Sequence, residues 1–139
     1  MQCTKCNEKA VLTLQHGNLC KIHFINYFED KVFKTIKKYQ LIDRDDIICV
    51  ATSGGKDSLT VLYLTKKYLD KYKQDTSKIF ALLIDEGIAN YRETTEKDLE
   101  KFCEEHKVKL KIVRAKDEFQ YTLDEAYPII NAKTKKKTM

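Results

Sequence analysis

The chain has 139 residues, of which 34% are charged, and a formal net charge of +5. That length allows one domain plus a small module, and no window approaches the roughly 20 apolar residues of a membrane-spanning helix. The first residues lack the apolar core of a signal peptide, so the sequence predicts a cytoplasmic protein. In that compartment, the five cysteines indicate metal binding or chemistry rather than disulfide bonds.

Two short pairs of ligand-type residues lie near the start of the chain. Cys3 and Cys6 are separated by two residues, and Cys20 and His23 repeat that spacing further along. Thiolate and imidazole donors in such pairs are typical of tetrahedral zinc sites, and four protein ligands leave no position open for chemistry. We therefore predict a structural zinc module over residues 1–23.

The segment between the two pairs predicts a β-hairpin over residues 10–19, with its turn at Gly17 and Asn18. His16 lies in this hairpin outside the paired spacing, so we expect it at the surface. Residues 24–40 predict one helix, because apolar side chains recur every four positions. This helix would link the zinc module to the following domain.

A short apolar run over residues 47–51 ends abruptly at the segment Ser-Gly-Gly-Lys-Asp-Ser, residues 53–58. An apolar strand, a glycine turn and a helix start form the layout of a phosphate-binding loop. The glycines let the backbone approach an anion, the helix N-terminus supplies positive partial charge, and Lys56 adds a full charge. The spacing fits neither the Walker A loop nor the dinucleotide-binding glycine motif. Because the run is apolar throughout, we expect a strand buried on both faces, with Cys49 in the core.

A helix over residues 57–72 and a second buried strand over residues 78–84 follow the loop. The strand–helix–strand order predicts a parallel pair of strands, and ligands bind beyond the carboxyl ends of such strands. Residues 53–58 should therefore lie beside the end of the second strand, where the backbone near Ile84 could contact an adenine edge. Asp85 and Glu86, which follow it, are interpreted equally well as loop carboxylates or as magnesium ligands.

The remaining segments predict a third helix, a third strand and a short last helix. In the helix over residues 95–106, Cys103 and His106 lie one turn apart, and we favour a buried face over a metal pair. The strand over residues 108–113 alternates apolar residues with lysine, which favours a position near the sheet edge. We expect the last helix, residues 117–127, to end at Pro128, and the basic tail over residues 128–139 to be loose.

Residues 53–58 resemble the signature of the PP-loop ATP pyrophosphatases, which cleave ATP to AMP and pyrophosphate. With the Cys-Cys-Cys-His quartet, the linking helix and the Leu-Ile-Asp-Glu-Gly-Ile stretch at residues 83–88, the chain resembles the tRNA 2-thiouridine synthetases, the zinc-bearing branch of that family. The resemblance implies an α/β fold. It consists of a parallel-sheet, HUP-like (adenine nucleotide alpha hydrolase-like) PP-loop domain over residues 41–127, preceded by the small zinc module.

The resemblance also implies ATP-dependent 2-thiolation of tRNA, in which a uridine C2 oxygen is adenylated with release of pyrophosphate before sulfur is transferred. ATP and magnesium would bind the loop, with Lys56 and Asp57 as catalytic residues. The nucleotide-binding residues that it implies are Ala51, Ser53, Gly54, Gly55, Lys56, Asp57, Ser58 and Ile84. The partners would be tRNA and a sulfur donor or sulfur-carrier protein, and the chain could form a homodimer.

One departure from the family pattern concerns sulfur. Members of the family carry a Cys-x-x-Cys-Gly segment and a further cysteine, often around an iron–sulfur cluster, and Cys49 and Cys103 do not match these by spacing. We therefore expect a fragment with the ATP-binding half of the enzyme, inactive in thiolation alone. The alternatives are another PP-loop ligase or amidotransferase-type subunit, and a non-catalytic module that binds zinc and nucleotide.

Overall fold

The computed structural model describes residues 1–88 and 93–135. The chain divides into two compact units, Met1–Asp45 and Asp46–Met139. In the described part of the chain, no helix is both long and apolar enough to cross a bilayer.

The first unit begins with a small hairpin. Strands β1 (Leu12–Leu14) and β2 (Gly17–Leu19) pair antiparallel with Leu14 opposite Gly17, which leaves Gln15 and His16 as the turn. The predicted hairpin is confirmed, but the predicted turn at Gly17 and Asn18 is wrong. Gly17 lies in β2 with a φ of +125° and packs so closely on Thr4 that an added Cβ would lie 2.8 Å from its Oγ1. The glycine therefore serves this close approach rather than the turn.

Helix α1 (Lys21–Lys38) confirms the helix predicted over residues 24–40, although it begins at Lys21 and ends at Lys38. Its last turn carries Lys37 and Lys38, where positive charge is favourable beside the negative end of the helix dipole. Because Cys20 is the N-cap residue and His23 lies in the first turn, the start of α1 fixes both members of the second ligand pair.

The second unit contains a three-stranded parallel sheet. Strands β3 (Ile48–Ala51), β4 (Ile79–Asp85) and β5 (Lys109–Arg114) lie in the order β3-β4-β5. The connections contain α2 (Lys56–Lys71), between β3 and β4, and α3 (Glu93–Glu105), between β4 and β5. The predicted parallel pairing and the edge position of β5 are confirmed.

The core of this unit is aliphatic. Its largest fully buried side chains are Leu62, Ile79, Leu83 and Leu99, which come from α2, β4 and α3. Each such side chain removed from water contributes about 1.5–3 kcal/mol. The core therefore holds α2 and α3 against the central strand and fixes where each connection leaves the sheet.

Strand β3 departs from the expected burial on both faces. Val50 is buried, but Cys49 and Ala51 are exposed and Ile47, just before the strand, is 76% exposed. Successive side chains of a strand point to opposite faces, so Val50 faces the core while these three share the other face. The prediction that Cys49 is a core residue is therefore wrong.

Helix α3 ends in a packed aromatic contact. Cys103 is only 2% exposed, and burial raises the pKa of its thiol. The His106 ring centroid lies 4.3 Å from that of Phe102 and 5.5 Å from that of Tyr63. These contacts confirm the buried-face interpretation of this segment.

The end of the chain forms two helices instead of the predicted one. Helix α4 (Ala115–Phe119) ends at Gln120, whose left-handed φ of 64° breaks the helix, and α5 (Leu123–Lys135) then begins. Pro128 lies inside α5, where it removes its own i→i−4 hydrogen bond without ending the helix. The predictions that Pro128 ends the helix and that the tail is loose from residue 128 are wrong as far as Lys135. Residues 136–139 lie outside the described residues.

Candidate nucleotide site and metal centre

Four ligand atoms converge in the first unit. Nδ1 of His23 lies 3.4, 3.4 and 3.3 Å from the Sγ atoms of Cys3, Cys6 and Cys20, and the Sγ atoms of Cys6 and Cys20 are 3.7 Å apart. All four ligand atoms lie within 4.8 Å of one another, so the group could hold a metal ion. His16 is exposed in the hairpin turn, outside this quartet, as its spacing predicts.

Backbone hydrogen bonds bring the two ligand pairs together. The Cys3 N–H donates to the Glu8 carbonyl oxygen (2.9 Å), and the Thr4 N–H donates to the Asn18 carbonyl oxygen (2.9 Å). The first bond closes the turn that carries Cys3 and Cys6, and the second ties that turn to β2. Because β2 leads directly into Cys20 and α1, the hairpin sets the distance between the pairs.

The Cys3 and Cys6 thiols have opposite pKa shifts. Burial raises the pKa of Cys3, but backbone N–H donors from Cys20, Lys5 and Cys6 outweigh it and lower the pKa from 9.0 to about 6. The backbone N–H of Glu8 lowers the pKa of Cys6, but desolvation and the two neighbouring thiols raise it more, and the net shift is upward. Negative charge is thus favoured on one sulfur and costly on the next, a conflict that a bound cation would relieve.

In the second unit, the loop at residues 53–58 joins β3 to α2. Gly54 has a φ of +79°, and an added Cβ would lie 2.8 Å from the Cβ and 3.0 Å from the carbonyl oxygen of Thr95. Only glycine fits this conformation and this contact with the first turn of α3. Gly55 is the N-cap residue of α2 with a φ of −78°, and a Cβ there would meet only Ser53 Oγ, at 3.4 Å.

Two serine hydroxyls hold the loop in a tight turn. Ser58 Oγ donates to the Gly55 carbonyl oxygen (3.0 Å) and accepts from the Ser53 N–H (3.3 Å), and the Gly55 N–H donates to Ser53 Oγ (3.4 Å). Lys56 and Asp57 are exposed in the first turn of α2. The helix N-terminus, its backbone N–H groups and Lys56 together favour an anion at this point.

The loop opens onto a cleft of about 270 Å³ at the carboxyl ends of β3 and β4. The residues that line it are Ala51, Thr52, Ser53, Ser58, Leu82, Ile84 and Glu86. The structure therefore brings together Ala51, Ser53, Ser58 and Ile84 from the expected nucleotide set. Residues 54–57 lie in the adjoining loop and helix start. The expected adjacency of the loop and the end of β4 is confirmed.

Sequence analysis did not single out Thr52 and Leu82, which also line the cleft. Thr52 is only 4% exposed, its N–H donates to the Leu82 carbonyl oxygen (2.8 Å), and its hydroxyl donates to the same oxygen (3.3 Å). This pairing continues the β3–β4 ladder up to the loop. The sequence does carry a signal for Thr52: it is a polar residue that directly follows the apolar run of residues 47–51.

A family model described as the PP-loop domain matches residues 24–127. The chain therefore belongs to the PP-loop family.

Relatives of the chain include proteins named for tRNA thiolation. The chain is 37% identical over 127 residues to the tRNA-5-methyluridine(54) 2-sulfurtransferase of Pyrococcus horikoshii. This match covers 90% of this chain and 39% of that protein. The chain is also 33% identical over 126 residues to cytoplasmic tRNA 2-thiolation protein 1 of Eremothecium gossypii. That match covers 88% of this chain and 34% of that protein.

A solved structure is also similar to this chain. The U34-tRNA thiolase NcsA from Methanococcus maripaludis, with its [4Fe-4S] cluster, matches with a TM-score of 0.75 and 32% identity. The match covers 90% of this chain and 42% of NcsA. The chain thus spans between about a third and two fifths of each of these relatives.

Proposed function

We propose that this chain provides the ATP-dependent activating part of a tRNA-thiolating enzyme. The observation that carries the proposal is the loop at residues 53–58, held by Gly54 at a positive φ, which opens with the N-terminus of α2 onto the cleft beside Ile84. The names of the relatives support tRNA as the substrate and thiolation as the reaction.

In the proposed reaction, the C2 oxygen of a tRNA uridine attacks the α-phosphorus of ATP, and the bond to the β-phosphate breaks with release of pyrophosphate. A sulfur nucleophile then attacks C2, and the C2–oxygen bond breaks with release of AMP. ATP is needed because a carbonyl oxygen leaves poorly, whereas AMP leaves readily.

The residues of the loop have distinct roles in this proposal. The backbone N–H groups at the start of α2 and the Lys56 ammonium bind the triphosphate and stabilise the charge that develops on the departing pyrophosphate. The apolar side chains of Leu82 and Ile84 form one wall of the cleft for the adenine, with the Ile84 backbone as its polar contact. Ser53 and Ser58 keep the loop in shape through their hydroxyls.

Magnesium, when bound, would neutralise phosphate charge and orient the phosphate oxygens. The exposed carboxylate of Asp57, one residue after Lys56 in the first turn of α2, is an oxygen ligand of the kind that magnesium prefers. Asp57 would otherwise repel the triphosphate, so its position beside Lys56 fits a cation-linked role.

The Cys3, Cys6, Cys20 and His23 quartet fits zinc. Zinc–sulfur and zinc–nitrogen bonds of about 2.3 and 2.0–2.1 Å give tetrahedron edges of about 3.8 Å between sulfurs and about 3.6 Å between sulfur and nitrogen. The corresponding distances here are 3.7 Å and 3.3–3.4 Å. Four protein ligands make this a structural site that holds the hairpin to the start of α1.

The sulfur step is assigned to no residue of this chain. The cysteines outside the quartet are Cys49, which is exposed, and Cys103, which is buried, and two thiols are fewer than the four that typically hold a [4Fe-4S] cluster. A sulfur donor or carrier protein is therefore part of the proposal. The relatives named as cytoplasmic support the same location for this chain.

The experiment is a titration with Mg-ATP followed by a pyrophosphate-release assay with and without tRNA. We expect binding of Mg-ATP and release that tRNA stimulates. Release stimulated instead by a small acid or amide would favour another PP-loop ligase, and binding without turnover would favour a non-catalytic module. Absence of Mg-ATP binding would overturn the proposal.

A further inference from the structure

We propose that Arg114 is a positioning residue for ATP, which acts through an ion-pair junction with Asp85 and Glu96 (the Arg114 junction). The inference rests on the proposed ATP-binding function and extends it to residues outside the loop. Arg114 is not among the residues that line the cleft; its side chain contacts elements that carry the loop and the lining.

The junction joins three elements at one rim of the sheet. Arg114 is the last residue of β5, Asp85 the last residue of β4, and Glu96 lies in the first turn of α3. Arg114 Nη2 lies 2.6 Å from Glu96 Oε1, and its Nε lies 3.7 Å from Asp85 Oδ2. The side chains of Asp85 and Glu96 are each 19% exposed, so both contacts are partly shielded from water. One planar guanidinium can meet two carboxylates on different edges, which a lysine ammonium on a flexible stem does less well.

One path leads from the junction to the phosphate end of the cleft. Gly54 packs against Thr95, the residue before Glu96: a Cβ added at Gly54 would lie 2.8 Å from the Thr95 Cβ. The Glu96 contact therefore fixes the turn of α3 that sets the position of Gly54. A shift of that turn would open or crowd the loop.

A second path leads to the other end of the cleft. Asp85 Oδ1 accepts a hydrogen bond from the Gly87 N–H at 2.9 Å, which holds the turn that follows β4. That turn contains Glu86, and Ile84 lies directly before Asp85; both line the cleft. The junction thus acts on the loop and on the end of β4 together.

The charge of Arg114 matters as well as its geometry. Without it, two carboxylates would remain uncompensated at the rim where the triphosphate is proposed to bind, and like charges repel. The loss of affinity should therefore grow with the charge of the ligand, from adenosine to ATP. A residue that only stabilised the fold would affect both ligands alike.

The test compares Arg114→Gln with the wild-type chain by calorimetric titration with Mg-ATP and with adenosine. We expect Mg-ATP binding to weaken about tenfold, the usual scale for losing charge-assisted contacts, with a clearly smaller change for adenosine. Arg114→Lys should be intermediate, because it keeps the charge and one contact. Lys66→Gln is the control: it removes the same charge and breaks an ion pair, with Asp70, in the C-terminal half of α2 away from the loop, and it should leave both affinities unchanged.

Thermal unfolding of each variant identifies any that is unfolded during the titration. If Arg114→Gln is unfolded, Glu96→Gln takes its place. It leaves Arg114 paired with Asp85 and no carboxylate uncompensated, so it tests position alone. It releases the turn of α3 on which Gly54 packs, at the phosphate end of the cleft, and should therefore weaken Mg-ATP more than adenosine. If both variants fold, the double variant should bind Mg-ATP no more weakly than Arg114→Gln alone, because both changes break the same contact.

Several outcomes would overturn the inference alone: wild-type affinity in the folded Arg114 or Glu96 variant, equal losses for adenosine and Mg-ATP, or an equal loss in Lys66→Gln. A wild-type chain that does not bind Mg-ATP would instead overturn the proposed function, and this inference with it.

Discussion

Individual residues of the loop differ in why they are needed. Gly54 is required by the fold itself, since its φ is +79° and Thr95 occupies the space of a side chain. Gly55, at a φ of −78° with room around it, is compatible with any L-residue. Gly54 is therefore needed for the fold of the loop, whereas we expect Gly55 to be needed only for binding of the phosphates.

We predict that Gly54→Ala lowers the free energy of unfolding by about 1–3 kcal/mol, the cost of a side chain in a left-handed conformation. Gly55→Ala, the matched control, should lower it by less than about 1 kcal/mol. Urea unfolding measures both. Mg-ATP binding should weaken in both variants, because each Cβ blocks the approach of a phosphate to the backbone. Equal stability of the two variants would contradict the assignment.

Lys56 should matter for binding and not for stability, because it is exposed at the start of α2. Lys56→Ala is expected to weaken Mg-ATP binding at least about tenfold, since a charge-assisted contact to phosphate is lost. Lys71→Ala removes the same charge at the opposite end of α2 and should leave the affinity unchanged. The idea fails if calorimetry shows the same loss for both lysines.

His23 and His16 provide a matched pair for the metal centre. His23→Ala should lower zinc affinity by at least about 100-fold, more than the usual loss of an outer-shell contact, whereas His16→Ala should bind zinc like the wild type. Zinc content after dialysis against a competing chelator measures both. A chain that loses zinc with His16→Ala and keeps it with His23→Ala would exclude the assigned quartet.

At the scale of elements, the alternation of apolar runs with helical periodicity predicted the parallel β3–β4–β5 sheet. The exposed face of β3 could not be predicted, because a continuous apolar run does not show which face a neighbour covers. The hairpin turn was misplaced because Gly17 has the residue type of a turn but serves a close contact with Thr4. The Arg114–Glu96 contact joins residues 18 positions apart, which no local pattern records.

The sequence at the start of α5 contains a helix-capping pattern that was not used to predict this helix. The Glu125 N–H donates to Thr122 Oγ1 (3.2 Å) and the Thr122 N–H donates to Glu125 Oε2 (2.9 Å), which is the reciprocal capping box of a Thr-x-x-Glu sequence. This cap begins α5 after Gln120 has ended α4. It explains why two short helices replace the single predicted one.

The cap gives α5 a pH dependence. The Lys116 ammonium, together with the Thr122 N–H, lowers the pKa of Glu125 below its usual 4.5. A lowered folded-state pKa stabilises the protein above pH 4.5, and that contribution is lost as pH falls through the folded pKa. We therefore expect Glu125→Gln to lower the urea midpoint at pH 7 and to approach the wild type below pH 4.5. Glu118→Gln, on α4 outside the cap, is the control, and a pH-independent difference for Glu125→Gln would contradict the role.

At the scale of the whole molecule, much of the site was predictable because its parts are contiguous in sequence. The loop at residues 53–58 and the candidate metal ligand pairs carry their own spacing, and the resemblance to a family suggested the proposed reaction. What the spacing could not show is how separate segments meet, such as Thr95 against Gly54 or Thr52 beside Leu82. Those contacts follow from the order of strands and the packing of α3.

We predict that this chain alone does not thiolate tRNA, because Cys49 and Cys103 do not provide the thiols of a sulfur-handling site. Incubation with tRNA, ATP, magnesium and sulfide, followed by nucleoside analysis by mass spectrometry, should yield no 2-thiouridine. A NcsA-type enzyme under the same conditions is the positive control. Formation of 2-thiouridine by this chain would refute the proposal that the sulfur step requires residues outside it.

The connection between the cleft and α5 has a practical consequence. Glu86 lines the cleft, and its carbonyl oxygen accepts the Leu123 N–H at 2.8 Å, while an added Cβ on the next residue, Gly87, would lie 2.5 Å from Thr122 Cγ2. A molecule that shifts the Glu86 backbone is therefore expected to shift the first turn of α5 as well. The chain has no tryptophan. The fluorescence of a single tryptophan introduced at the exposed Tyr121 is therefore expected to report ligand binding in the cleft from a position outside the lining.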